Sequence, residues 1–424
     1  MTPVLGNNTE FRAPEVVSTM HQRSLGVGII FGIASLITAI LPGTREQFFR
    51  SYLLGYMLWL GLTLGSMCFL MIQHMTGGKW GMVIRRQLEA AMNTLWLMAV
   101  LFVPVIVGIP SLYSGVSGPG KWSGWFKPDP ADQHLTMMAH AYLRRWGTPQ
   151  FLFLNGYIGR AIIYFVIWLL FAWGLNKLSL RQDHPPVQNL APRFRRISAP
   201  GIIVYAFTIT FAVIDWVMSL DPHWISTIYG FIFIAGQCLS GMCLMVIVER
   251  IMSKHEPMSS LLKPKEVHDH GKLMLTFVLL WAYFSFSQLL IIWAGNLPME
   301  IRFYARRLYS GWQAIGLALV IFHFFVPFFL LLSRPFKRNA GSLVWLAAWL
   351  IFMRFVDLFW YIEPNFHKTI MDGISGYWLD IVVPIAIGGF WLALFFRNLR
   401  SRPLLPVYDM HAQEYLEYVG AVHE

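Results

Sequence analysis

Residues 50–74 read RSYLLGYMLWLGLTLGSMCFLMIQH, a run in which Arg50 and His74 bracket 23 residues without a charge. At the 1.5 Å rise of an α-helix such a run reaches about 35 Å, enough to cross a hydrocarbon core about 30 Å thick. Nine further runs of this kind lie roughly at 25–41, 88–109, 150–173, 200–219, 225–249, 269–294, 311–333, 341–361 and 378–397. They are continuously apolar rather than alternating, which predicts helices and excludes the two-faced strands of an outer-membrane barrel. Composition agrees: 56% hydrophobic and only 13% charged residues leave too few charges to coat a water-soluble fold of 424 residues. The predicted fold class is therefore an all-α polytopic membrane protein of about ten transmembrane helices.

The first 23 residues place Asn7, Asn8, Glu10, Arg12, Glu15 and Arg23 ahead of any apolar run. That is not the order of a cleavable signal peptide, so the amino terminus is predicted to be retained. The chain divides into an amino-terminal arm (1–24), a membrane domain (25–397) and a tail (398–424). Counted over connectors and the span ends beside them, Lys and Arg number 21 on the side of both termini and 10 on the other. The positive-inside rule then predicts both termini in the cytoplasm. The net charge of +11 follows from the same asymmetry. Basic loops facing anionic phospholipid explain it, and no separate basic domain points to nucleic acid.

Cys68, Cys238 and Cys243 all fall inside apolar runs, with no Cys-x-x-Cys spacing to hold an iron–sulfur cluster or attach a haem. The third connector, 111–149, is predicted outside the membrane and is rich in Gly and Trp: Gly115, Gly118, Gly120, Trp122, Gly124 and Trp125. It reads either as a cap or partner-docking segment, or as a loop whose tryptophans anchor at the interface, and the anchor role is the expectation. The tail from Arg402 reads as an interaction strand. Helices two to five and six to nine form two sets of four, arranged as two bundles with helices one and ten peripheral; any relation between the sets would be a parallel repeat.

Ionisable residues inside lipid cost on the order of 3 kcal/mol each by insertion scales and need a partner or a function. Asp215 lies in the fifth run, with Thr208 seven before it and Ser219 four after it on one helical face. Arg354 and Asp357 in the ninth run are three apart and can pair, with Tyr361 four beyond; a structural ion pair accounts for them as well as a functional one does. Arg160, with Asn155 before it and Tyr164 after it, is expected deep in the membrane, seeking Asp215 or Asp357 as its acid. Glu89, near Arg86, Asn93 and Trp96, and Glu249, beside Arg250, sit at the cytoplasmic ends, where each reads as an interfacial ion or a proton-uptake residue.

His323 is mid-run, whereas His74, His268 and His270 cluster at run ends, so it lacks the facing partner that a b-type haem requires. It is expected to be a hydrogen-bonded core histidine or a proton-relay member. No metal site is predicted. The seventh run carries Trp281, Tyr283, Ser285, Ser287, Gln288 and then Asn296, polar groups that either join helices or line a water chain.

Two stretches carry a family resemblance. Asp215-Trp-Val-Met-Ser-Leu-Asp-Pro-His-Trp-Ile-Ser-Thr-Ile-Tyr-Gly230 is one; His270-Gly-Lys-Leu, with Trp281-Ala-Tyr-Phe-Ser-Phe-Ser-Gln288 and Trp293-Ala-Gly-Asn-Leu-Pro298, is the other. They resemble the NrfD-like, or polysulfide-reductase-type, membrane subunits of alternative complex III, a bacterial quinol:cytochrome c oxidoreductase. The resemblance covers nearly the whole chain, and it departs after Asn-Leu-Pro, where Met299 and Glu300 stand in place of two acids. It implies a bacterial inner-membrane location and an eight-helix core in two bundles. It also implies a sister membrane subunit, ActC, a terminal oxidase as a further partner, and haem and iron–sulfur centres held only by partner subunits. A quinone or menaquinone is the cofactor it implies, with none covalently bound. On that reading Asp215, Asp357 and His323, tuned by Arg160 and Arg354, belong to a proton pathway or a quinone-site-like cavity. Glu89 and Glu249 lie near its cytoplasmic end, and Thr208, Ser219, Tyr283, Ser287 and Gln288 line it. A purely structural membrane anchor is the alternative. A secondary transporter fits the helix count, but Pro104, Pro327 and Pro384 are scattered rather than paired.

Overall fold

The computed structural model describes residues 11–116, 122–142 and 156–421. Asn7, Asn8, Glu10, Gly118, Gly120 and Asn155 lie outside the described residues. Among the described residues, ten helices long and apolar enough to cross a membrane follow in order: Glu15–Ile40, Arg45–Thr76, Lys79–Val107, Tyr157–Arg181, Ala191–Leu220, Tyr229–Met252, Pro264–Gly295, Trp312–Leu332, Ala340–Asn365 and Leu379–Arg400. They are spans 1 to 10 below. Large apolar side chains such as Ile30, Leu170, Phe207 and Trp345 remain exposed around the outside, as a lipid-facing surface requires.

Span 4 begins seven residues later than hydropathy places it, and span 5 nine residues earlier. Leu175, Leu178 and Leu180 extend the apolar run of span 4 beyond residue 173, so hydropathy does not mark its end. Span 5 starts at Ala191 because Pro192 suits the first helical turn, while its basic first turns carry Arg193, Arg195 and Arg196. Span 3 is broken at Asn93–Thr94 and again at Leu101–Phe102, ahead of Pro104.

Spans 2 and 6 are the buried axis, with 94% and 83% of their apolar windows enclosed. Small residues let their backbones touch. A Cβ on Gly65 would lie 1.9 Å from the Gln237 carbonyl oxygen, and one on Gly241 would lie 2.9 Å from the Gly65 backbone. Spans 3 and 5 pack on span 2, with span 4 closing that group against spans 3 and 5; spans 7 and 9 pack on span 6, with span 8 closing that group against spans 7 and 9, giving the two four-helix groups. Span 1 is peripheral, 17% enclosed, but span 10 is not: at 72% it is wedged between spans 1 and 2. Glycines again allow it, for Gly389 meets the Gly28 backbone and Gly55 meets Pro384. Trp59 Nε1 then donates to the Pro384 carbonyl at 2.8 Å, and Trp391 Nε1 to Thr63 Oγ1 at 2.8 Å.

The described parts of the third connector form a cap over one end of the first bundle. Gly115–Val116 pairs antiparallel with Trp122–Ser123, and a helix follows at Gln133–Tyr142. Trp125 is fully buried, 4.7 Å from the rings of both Tyr113 and Tyr142, so it is a packing residue of the cap and not the interfacial anchor its composition suggested. The tail is likewise not a strand: Met410–Ala421 is a helix lying across the opposite end, where Tyr415 Oη donates to the Leu261 carbonyl at 2.8 Å. These two ends are called the cap end and the tail end.

Gly65→Ala is expected to lower the thermal stability of the purified protein by about 1–3 kcal/mol, since the added methyl meets backbone that cannot move aside. Gly26→Ala, whose Cβ would have nothing within 4 Å, is the matched control and is expected to melt as wild type. Equal melting of the two variants would refute the crossing.

Candidate functional site

The buried polar centre of the second bundle forms around span 9. Spacing of three places Arg354 and Asp357 on one helical face, and both side chains are enclosed and ion-paired through Asp357 Oδ2. Trp281 Nε1, from span 7, donates to the same oxygen at 3.1 Å, whereas Asp357 Oδ1 has no hydrogen-bond partner. The guanidinium of Arg354 lies 5.0 Å over the Phe233 ring, and only a glycine at 236 leaves it room, since a Cβ there would come within 2.4 Å of it. His323 is 0% exposed and lies 4.2 Å from the Trp281 ring, with both ring nitrogens unbonded. It sits in a π-helical stretch, Leu319–Phe325. Pro327 supplies a reason for that distortion, because a proline has no N–H to give the carbonyl four residues back, which is that of His323.

Asp215 belongs to the other bundle, and of the two acids offered to Arg160 it is the one that pairs. Arg160 donates through Nε to Oδ2 and through Nη2 to Oδ1, both at 2.8 Å. Tyr164 Oη adds a bond to Oδ2 at 2.9 Å, and Tyr142 Oη, from the cap helix, reaches Oδ1 at 3.3 Å. Ser219 Oγ donates to the Asp215 backbone carbonyl at 2.5 Å, and Thr208 Oγ1 receives Trp168 Nε1 at 2.8 Å. The depth expected from sequence is corrected here: Arg160 lies in the first turn of its helix and Asp215 in the last turn before Trp216, at the cap end. The later start of span 4, at Tyr157, is the cause. Burial and the neighbouring Asp215 carboxylate push the Tyr142 phenol upward, so it stays a hydrogen-bond donor.

At the tail end, Glu89 is enclosed by the protein. Its oxygens take Arg85 Nε at 3.2 Å, Arg86 Nη1 at 2.8 Å and Ser179 Oγ at 2.7 Å. Arg86 also pairs with Asp183, and Arg85 reaches Gln182 Oε1 at 2.6 Å and Asp409 of the tail at 2.5 Å. The assembly ties spans 3 and 4 to the tail. Glu249, in the last turn of span 6, is also enclosed and meets His270 Nδ1 at 2.9 Å while His270 Nε2 meets the Trp80 carbonyl at 2.8 Å. A carbonyl only accepts, so Nε2 carries hydrogen, and the contact between Nδ1 and the carboxyl needs one further proton on one side or the other.

Span 7 divides its polar groups. Gln288 is buried, accepting from Ser226 Oγ at 3.0 Å and donating to Tyr304 Oη at 3.2 Å. Tyr283 is 65% exposed on the lipid side and Ser287 is half-buried. Five residues along a helix turn the side chain by about 140°, so Tyr283 and Gln288 cannot share a lining face.

Sequence reasoning missed a second acid centre at the cap end: Glu363 and Asp380, both enclosed beside Gln47, Arg50, Ser51 and His367. Glu363 lies just past the apolar run ending at 361 and reads as a connector residue. The available signal was Glu363-Pro-Asn-Phe-His367, an acid and a histidine at helical spacing.

A groove of about 460 Å³ between spans 1, 2, 3 and 10 is lined by apolar side chains including Ile33, Phe49, Val107 and Phe390. The Tyr52 hydroxyl beside it already donates to the Leu101 carbonyl at 2.7 Å. It fits an acyl or isoprenoid chain and offers no free donor to a quinone carbonyl. Among the described residues, no three or more His, Cys, Asp or Glu side chains converge as metal ligands would. The class defined by fold and site is thus an all-α, multi-pass membrane protein with ionisable residues enclosed between its spans. No protein-family model matches the chain, and no curated protein matches its sequence.

Removing Arg160 while leaving Asp215 should expose the cost of an uncompensated carboxylate. Arg160→Gln is expected to lose on the order of 2–3 kcal/mol, below the range for a fully enclosed pair because the Arg160 side chain keeps 28% exposure. The double variant Arg160→Gln/Asp215→Asn is expected to regain much of that loss in thermal melting. No recovery would mean that the pair is not the interaction being measured.

Proposed function

We propose that the chain is an integral membrane subunit of a respiratory quinol:cytochrome c oxidoreductase of the alternative complex III type, the NrfD-like subunit called ActF, and that it contributes a proton pathway. The observation carrying this reading is the centre of the second bundle. An acid oxygen and both nitrogens of a histidine are buried there without hydrogen-bond partners, beside a π-helical turn. Packing alone gives no reason to keep such groups in lipid, where each unsatisfied polar atom costs free energy. Asp357 and His323 are the groups that would carry protons, with Arg354 holding the charge and Trp281 touching both. The Glu249–His270 pair stands at the tail end as the entrance, which the charge count makes cytoplasmic. Quinol, or menaquinol, would supply electrons and protons. The redox centres would be held by sister subunits, ActC and others, in a bacterial inner membrane, with a terminal oxidase as a further partner. The apolar groove accommodates a quinone tail or a phospholipid chain, and no step of quinol chemistry is assigned to this chain.

A structural role is favoured separately for two assemblies. Asp215 receives four hydrogen bonds and Glu89 three, which holds each in place rather than leaving it free to exchange a proton. The two roles separate by substitution in the purified complex, reconstituted in proteoliposomes with quinol:cytochrome c electron transfer and proton movement followed together. Asp357→Asn is expected to keep electron transfer while lowering protons moved per electron several-fold. Asp215→Asn is expected to lower stability and leave coupling intact. Wild-type coupling in Asp357→Asn would remove the pathway and leave the anchor.

A further inference from the structure

At the cap end, spans 2, 9 and 10 enclose two carboxyls that the reading above does not use. Glu363, in the turn that closes span 9, is 0% exposed, and neither of its carboxyl oxygens has a hydrogen-bond partner. Asp380, in the first turn of span 10, accepts from Ser51 Oγ at 2.5 Å and from Gln47 Nε2 at 3.3 Å. The acids are electrostatic neighbours, and Arg50 faces both. Arg50 is the cation of the group, 4.5 Å over the Phe366 ring, and it shares its charge with the exposed Glu46, which Nη2 reaches at 3.1 Å.

The remaining titratable neighbours come from the connector between spans 9 and 10. His367 Nε2 lies 3.5 Å from Glu363 Oε2. Burial and Arg50 hold His367 down at about 4, so it is neutral at physiological pH and supplies no second positive charge; Asp372 opposes that shift from the solvent side. The Tyr377 phenol is pushed upward by burial and by both acids, and its hydroxyl has no hydrogen-bond partner. Two carboxylates against one shared guanidinium would leave an uncompensated negative charge in an enclosed site, at a cost of several kcal/mol. Two carboxyls in that position relieve the repulsion when one of them keeps a proton.

The geometry points to a proton-holding carboxyl pair, Glu363 and Asp380, at the cap-end mouth between spans 2, 9 and 10. One proton resides on the pair and Arg50 balances the remaining charge. His367 and Tyr377, partly exposed, are the groups through which that proton exchanges with the surface. Placing the pair at the outlet of a proton route rests on the proposed function; the proton itself does not.

Infrared spectra of the purified complex, compared between wild type and variants at neutral pH and after exchange into D2O, test the pair directly. Glu363→Gln and Asp380→Asn are each expected to remove one deuterium-sensitive carboxylic-acid C=O band, because the surviving acid ionises against Arg50. Arg50→Gln is expected to add such a band. Both acid substitutions are near-isosteric, and if one variant does not assemble the other carries the same prediction. Spectra unchanged by either acid substitution would overturn the pair, as would a wild-type band that sodium abolishes at constant pH, which would make this a cation site. A lost band with unchanged proton coupling upholds the pair and removes it from the route. An unchanged band with lost coupling overturns the pair and leaves the proposed pathway standing.

Discussion

Everything in this molecule hangs on the crossing of spans 2 and 6 at Gly65 and Gly241. Lipid tails are as apolar as leucine, so burying Leu and Phe between helices gains little in a membrane, and association depends on close backbone approach and interhelical hydrogen bonds. The approach here is close enough that no side chain fits between Gly65 and the Gln237 carbonyl. With that contact made, span 2 holds spans 3 and 5 and span 6 holds spans 7 and 9, and spans 4 and 8 complete the two four-helix groups by packing on those neighbours. The same device, Gly28 against Gly389, attaches span 1 to span 10.

The crossing also brings polar groups together. Gln237, whose carbonyl lies at the crossing, accepts from Tyr205 Oη at 2.8 Å, joining span 5 to the axis. One residue before Gln237, Gly236 makes space for the Arg354 guanidinium, and through it for the ion pair with Asp357. Small residues at the axis therefore serve twice, once for helix packing and once for housing a buried charge. A larger residue at 236 would displace the arginine and leave the acid uncompensated.

The enclosed charges fall into two physical kinds. Asp215 and Glu89 are surrounded by donors, with arginine forks and tyrosine or serine hydroxyls filling their oxygens; each holds separate segments together, the cap helix to spans 4 and 5 in one case and the tail to spans 3 and 4 in the other. Asp357, His323 and Glu363 keep atoms with no partner inside the protein. Both kinds look alike in a sequence, as an ionisable residue in or beside an apolar run. They differ in the number of donors that other helices bring to them.

The ten membrane crossings, their helical nature and the Arg354–Asp357 pairing were legible in the sequence, because hydropathy over about twenty residues and i, i+3 spacing are local properties. Local pattern also narrowed the acid for Arg160 to two candidates. Tertiary structure alone decided the rest. It chose Asp215 over Asp357, turned Tyr283 to the lipid, buried Trp125 in the cap, wedged span 10 inward and made the tail a helix. It also enclosed Glu363 and Asp380 in one buried cluster from positions that read as a connector and a span end. The physical reason is that a helix's period says which residues share a face but not which neighbour that face meets. That choice is made where glycines let backbones touch and where side chains from distant spans supply or withhold the hydrogen bonds a buried charge requires.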